Sequence, residues 1–253
     1  MQITQTVTRM SQELLPEFSD AHCHLDLFKD PNKIIEESKK NGVGLMIAAG
    51  DSKANSLACI KLANGASVFT VIGIGPDFSV SDSEFVDEIE AEILKNPQII
   101  GIGEIGLDAK LAKEISIEQQ KSIFERQIDI AKSLDLPIVI HSRGAIKEVM
   151  RIVESKKVKK AVFHYFEGDE KQAIELAGKG YIISIPPFET AKRKRVIKAL
   201  GINNLVAETD APVVGKTPID VKKVVETIAN IKGISLEDAA SKTTENIRRL
   251  FYI

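Results

Sequence analysis

At 253 residues, with 43% hydrophobic and 28% charged residues, the chain has an ordinary globular composition and is long enough to bury one large core. A formal net charge of −2 excludes capture of nucleic acid by bulk electrostatics, so any polyanion has to be gripped by a local patch or by metal. Two cysteines, Cys23 and Cys59, exclude a disulfide framework, and no run approaches the roughly twenty apolar residues of a membrane helix.

Residues 1–16, rich in Gln, Thr and Ser and closing at Pro16, show no period and read as an N-terminal arm. They carry no apolar stretch of the signal-peptide kind, and with only two cysteines in the chain a cytoplasmic location is expected. From Glu17 onward, short apolar runs alternate with longer amphipathic stretches. The first run, 18–24, precedes a helix predicted over 31–41, whose opening Pro31 suits a first turn. Runs at 43–49, 67–73 and 98–103 follow, then a helix over 116–134 with Ile117, Phe124, Ile128 and Ala131 at helical spacing. The runs 137–140, 161–163, 181–185 and 203–207 are separated by helices expected over 145–155, 170–177 and 189–200. Helices over 218–231 and 235–251 end the chain, the last opening with Ser235 and Asp238 as a variant capping box. Eight strand-then-helix units predict an α/β fold, a TIM (β/α)8 barrel whose parallel strands close on themselves inside a ring of helices, as one domain over 17–253. An open doubly wound sheet is the rival, but its GxGxxG turn after the first strand is missing.

In such a barrel the working face is the C-terminal edge of the strands. The chain has four histidines, and all of them fall at predicted strand ends. His22 and His24 flank Cys23 at the end of the first run, so a strand there points both imidazoles one way. That pair alone suits core packing as well as a metal. His141 follows 137–140, His164 follows 161–163, Glu104 follows 98–103, and Asp210 lies just past 203–207. Strand ends remote in sequence converge at the mouth, and six ligand-type residues together suit two divalent cations. Imidazoles favour zinc or manganese, whereas magnesium prefers oxygen ligands. Taken singly, Glu104 could instead pair with a lysine and Asp210 could cap the next turn.

The stretches Asp20-Ala21-His22-Cys23-His24-Leu25-Asp26, Gly103-Glu104-Ile105-Gly106-Leu107-Asp108, Ile140-His141-Ser142-Arg143 and Glu208-Thr209-Asp210-Ala211-Pro212 resemble the TatD family of metal-dependent deoxyribonucleases, within the amidohydrolase superfamily of barrels. The match in order and spacing runs from about Phe18 to the C-terminus, where Asn246, Leu250 and Phe251 fit the family's ending. The resemblance implies that His22, His24 and Asp210 hold one metal, that His141 and His164 hold the other, and that Glu104 sits between them. It also allows magnesium beside zinc and manganese, and implies hydrolysis of DNA or RNA phosphodiesters, with a single strand or an end as the expected substrate. Asp210, beside the metals, is the candidate acceptor of the attacking water's proton, with Glu104 the second catalytic carboxylate. The sequence departs from the family at Ala109-Lys110, at Gly144, and in His164-Tyr165-Phe166-Glu167-Gly168, all where substrate would touch.

Around these ligands, Arg143 suits a two-pronged phosphate contact or a surface ion pair. Tyr165, Phe166 and Phe188 lie in predicted mouth loops, where they would stack on an unpaired base or pack as core and lid. Lys192-Arg193-Lys194-Arg195 would steer a nucleic-acid backbone or form a solvated helix face. Two rival functions remain. One is hydrolysis of another ester or amide, such as a lactone, a phosphotriester or aminoacyl-tRNA. The other is a barrel that binds nucleic acid without turnover, which has no chemical need for six ligand-type residues.

Overall fold

The computed structural model describes residues 17–253; the expected arm over 1–16 lies outside the described residues. Eight strands form one parallel sheet in sequence order: β1 Phe18–Cys23, β2 Val43–Ala49, β3 Val68–Ile72, β4 Ile99–Gly106, β5 Ile138–His141, β6 Ala161–Phe163, β7 Ile182–Ile185 and β8 Leu205–Ala207. They match the eight apolar runs to within a few residues at each end. The helices are α1 Pro31–Lys40, α2 Lys53–Leu62, α3 Val80–Phe85, α4 Ile89–Lys95, α5 Ile117–Ser133, α6 Ile146–Ser155, α7 Glu170–Gly178, α8 Ala191–Ala199, α9 Val221–Lys232 and α10 Leu236–Phe251. Of these, α2, α3 and α4 are additions to the sequence reading. Among the described residues no helix is long and apolar enough to cross a membrane.

Strand alternation divides the apolar residues between two layers. Leu45, Ile47, Ala49, Val71, Val139, Val162, Ile182 and Val206 fill the barrel interior, and Ile247, Leu250 and Phe251 of α10 plug its lower end. Met46, Ala48, Ile72, Ile102, Ile105, Ile140 and Phe163 face outward against the helices. The helix starts follow from local chemistry: Asp30, Ser52, Ser116, Asp169 and Thr190 each accept an amide hydrogen bond from the third residue onward. At α10, Ser235 accepts from the Asp238 amide at 3.0 Å, half of the expected capping box.

The barrel meets itself between β8 and β1. The Asp210 amide donates to His22 O at 2.9 Å and the His24 amide donates to Ala211 O at 2.8 Å. Buried Asp20 fastens the same seam, accepting from the Thr209 amide at 2.9 Å and the Thr209 hydroxyl at 2.5 Å. The seam therefore fixes the distance between the His22/His24 pair and Asp210. A register irregularity between Asp20 and Cys23 lets Ala21 face the interior while His22 and His24 turn into the mouth and Cys23 packs outward. At the end of β4, Gly106 has φ +148°, and a side chain there would run into the His141 carbonyl oxygen. Only glycine lets β4 and β5 approach closely enough to bring Glu104 and His141 together.

Candidate metal centre

Six strand-end side chains meet at the mouth. His22 Nε2 lies 3.2 Å from Glu104 Oε2, 3.7 Å from Asp210 Oδ1 and 3.3 Å from His24 Nε2. His24 Nε2 lies 3.2 Å from Asp210 Oδ1, and its Nδ1 faces Ala49 O at 3.1 Å. On the opposite side, His141 Nδ1 lies 2.5 Å from Glu104 Oε1, and His164 Nε2 lies 3.7 Å from the same oxygen. Glu104 thus stands between the two groups of histidines, one oxygen toward each. The His22 and His164 rings stack with centroids 3.6 Å apart.

Among the described residues, two sets of donor atoms are close enough together to share one ion: His22, His24 and Asp210, and His22, Glu104 and His164. The first is the set expected for one metal. In the second, His22 joins Glu104 and His164 because its ring stacks on His164, while His141 approaches through Glu104. All of these residues except His141 are buried.

Charge balance at the centre suits cations. Burial opposes ionisation of Glu104, but the His164 charge and hydrogen bonds from His141 and His22 hold its carboxyl well below the usual range. Asp210 is likewise depressed against burial, by the His24 hydrogen bond and the charges of His164 and His22. Against burial, contacts with Asp210 and Glu104 raise His24 to about 9; Asp108 and Glu104 raise His141 to about 10; Glu208 and Glu104 raise His164 to about 9. His22 is pushed down, by burial first and by the His164 charge second, and its buried Nδ1 has no partner among the described residues. Three protonated imidazoles packed on anionic carboxylates are a cluster whose protons divalent cations can replace, and four imidazole and two carboxylate donors fit such ions.

A cavity of about 570 Å³ opens above the centre, reached by His24, Glu104, His141, His164 and Asp210, with Asp51 and Asp77 on the β2–β3 side and Lys110 and Arg143 on the β4–β5 side. Arg143 pairs through Nε with Asp108 Oδ2 at 2.7 Å and stays partly exposed. Tyr165 also lines the cavity, its backbone at φ +43°. Asp210 turns into the mouth from φ +52°, a left-handed conformation that an aspartate tolerates better than most residues. Phe166 is buried in the core, whereas Phe188 is exposed.

The basic run on α8 is mostly occupied in holding loops. Lys192 Nζ donates to Glu167 O at 2.5 Å, Lys194 pairs with Glu189 at 2.5 Å, and Arg195 pairs with Glu170 at 2.8 Å. Arg193 donates to Phe188 O and packs 5.5 Å from the Tyr165 ring centroid.

The sequence reading singled out neither Asp108, Glu208 nor Asp20 for a role. Asp108 Oδ2 is 3.2 Å from His141 Nε2, and Glu208 Oε2 is 3.0 Å from His164 Nδ1. Each stands within four residues of an expected ligand, in a segment that enters the barrel, where an acid has to find a partner. That placement is the signal by which they could have been found.

A family model described as TatD related DNase matches residues 19–252. The human protein named deoxyribonuclease TATDN3 is 29% identical, covering 92% of this chain and 93% of its own. The metal-dependent hydrolase YabD of Bacillus subtilis strain 168 is 31% identical, over 92% of this chain and 98% of its own. Among solved structures, YjjV, a TatD homologue from Escherichia coli K12, has the same fold with a TM-score of 0.84 at 24% identity, covering 93% of this chain and 98% of its own.

Proposed function

This chain belongs to the TatD-related DNase family, and on that premise we propose that it is a metal-dependent hydrolase that cleaves nucleic-acid phosphodiester bonds at the barrel mouth. The observation that carries the reading is Glu104, one carboxylate with its two oxygens 3.2 Å from His22 and 2.5 Å from His141, inside a ring of strand-end ligands. In this reading residues 17–253 act as one catalytic unit. His22, His24 and Asp210 would hold one divalent cation and His141 and His164 a second, with Glu104 between them; zinc, manganese and magnesium are the candidates. Such cations supply a reactive water at neutral pH and take up the negative charge that develops on phosphoryl oxygens.

The chain's own residues do the rest. Asp210, anionic at neutral pH and next to both His22 and His24, accepts the proton of the attacking water. Glu104 stays anionic and turns one oxygen toward His22 and the other toward His141. Arg143 uses Nε on Asp108, leaving its terminal amino groups for a substrate phosphate. Tyr165, which lines the cavity, offers an aromatic side chain for stacking on an unpaired base, which favours a single strand or a frayed end as substrate. The two cysteines are unbridged and buried, which suits a reducing, cytoplasmic setting.

The test is turnover by the full chain after chelation and metal add-back, measured on single- and double-stranded DNA, RNA, aminoacyl-tRNA and a lactone panel. Metal-dependent cleavage of nucleic acid is the expected result. Turnover of the lactones or of the aminoacyl ester alone would move the reading to another ester, and metal-independent binding without cleavage would overturn it.

A further inference from the structure

An imidazole bound to a cation gives the lone pair of one nitrogen, and the partner of the other nitrogen decides which. Behind the two histidines assigned to the second cation stand carboxylates that the ligand set does not use. His164 Nδ1 lies 3.0 Å from Glu208 Oε2, so Nε2 is the nitrogen turned toward Glu104. Glu208 is fully buried and is itself anchored: the Ser184 hydroxyl donates to Oε2 at 2.5 Å and the Tyr165 amide donates to Oε1 at 2.7 Å.

His141 is presented the other way round. Its Nε2 lies 3.2 Å from Asp108 Oδ2, and its Nδ1 faces Glu104 at 2.5 Å. Asp108 is buried and anchored by the Lys110 amide at 2.8 Å and by Arg143 Nε at 2.7 Å. The first group has nothing comparable. His24 Nδ1 faces a neutral carbonyl, that of Ala49, and His22 Nδ1 has no partner among the described residues. The four imidazoles therefore fall into two kinds, and only the pair on β5 and just past β6 is backed by charge.

From this division we infer that Asp108 and Glu208 are positioning residues for the second cation: Glu208 holds His164 to bind through Nε2, and Asp108 holds His141 to bind through Nδ1. The inference rests on the two-cation reading above. Neither carboxylate touches the reacting atoms; each acts through its histidine, fixing the ring's orientation and strengthening it as a donor. Arg143, in turn, ties Asp108 to the part of the mouth where substrate phosphate would lie, so the second cation and the substrate share one hydrogen-bonded support.

The experiment loads the chelator-treated full chain with Mn²⁺ and follows binding by calorimetry and by metal counting, for wild type, Glu208→Gln and Asp108→Asn. Wild type takes up two ions. Each variant is expected to keep the first ion at wild-type affinity and to bind the second about 10- to 100-fold more weakly. Unchanged first-site affinity is the readout that a merely structural role would not leave intact. Because Glu208 is buried and Glu208→Gln can fail to fold, Asp108→Asn, beside the cavity, decides the matter alone in that event. Two ions bound at wild-type affinity by a folded variant would overturn the inference, as would equal weakening of both ions. A wild-type chain that takes up fewer than two ions would overturn the two-cation reading itself, a result distinct from either variant outcome.

Discussion

Loading the centre with divalent cations at pH 7 should release about three protons per chain, one each from His24, His141 and His164. In the cation-free chain these rings titrate at about 9, about 10 and about 9, because contacts with Asp210, Asp108, Glu208 and Glu104 outweigh the burial that opposes protonation. At pH 7 all three rings lie below their midpoints, so each is predominantly protonated. His22, pushed below its ordinary 6.5 by burial and then by the His164 charge, contributes no proton. A nitrogen that gives its lone pair to a cation cannot keep its hydrogen, hence about three protons from the rings, to which any proton lost by a cation-bound water adds. All three values lie above the ordinary 6.5, so the stabilisation these rings lend the cation-free fold is complete below about pH 6.5 and is lost as pH rises through about 9 to 10. The melting temperature of the chelated chain therefore falls across that window, while that of the loaded chain does not follow it. Titration calorimetry with Mn²⁺ in three buffers of different ionisation enthalpy gives the proton count as the slope of observed heat against buffer heat. A slope below one proton would refute the reasoning, since the rings would then already be neutral beside their carboxylates.

Three further outcomes follow from particular contacts. Gly106→Ala places a side chain against the His141 carbonyl at φ +148°, and urea unfolding should show a loss of about 2–3 kcal/mol; a change under about 0.5 kcal/mol would contradict the close approach of β4 and β5. Thr209→Val removes the hydroxyl that donates to buried Asp20 at 2.5 Å, and the seam should weaken by about 1–3 kcal/mol in the same assay, against no measurable change if Asp20 does not fasten it. Arg143→Ala should raise KM for a single-stranded oligonucleotide by about tenfold while the chain still folds, whereas an unchanged KM would remove Arg143 from the substrate contacts.

The barrel was legible because its strands are nearly continuous apolar runs, as parallel strands buried on both faces must be, and because all four histidines end such runs. The helices between β2 and β4 were not. In α2, Leu57, Cys59, Ile60 and Leu62 crowd together without a clear helical stripe, and α3 and α4 are only six and seven residues long. The six expected ligands stood out by residue type and position, and the structure brings all six together at the mouth. Their supports did not, since the value of Asp108 or Glu208 depends on which ring nitrogen lies opposite, a fact of geometry rather than spacing. The α8 run shows the same limit. Four consecutive cations read as a uniform charged face, yet Arg193 packs on Tyr165 at the mouth while its neighbours pair with glutamates or a loop carbonyl.

The most direct measurement is the initial rate of single-stranded DNA hydrolysis by chelator-treated chain with and without added Mn²⁺, for wild type and for Glu104→Gln and Asp210→Asn proteins shown to be folded. Cleavage by wild type is expected only when metal is restored, with a loss of at least about 100-fold in either variant. Full activity in a metal-loaded variant, or cleavage by the chelated wild type, would contradict this expectation.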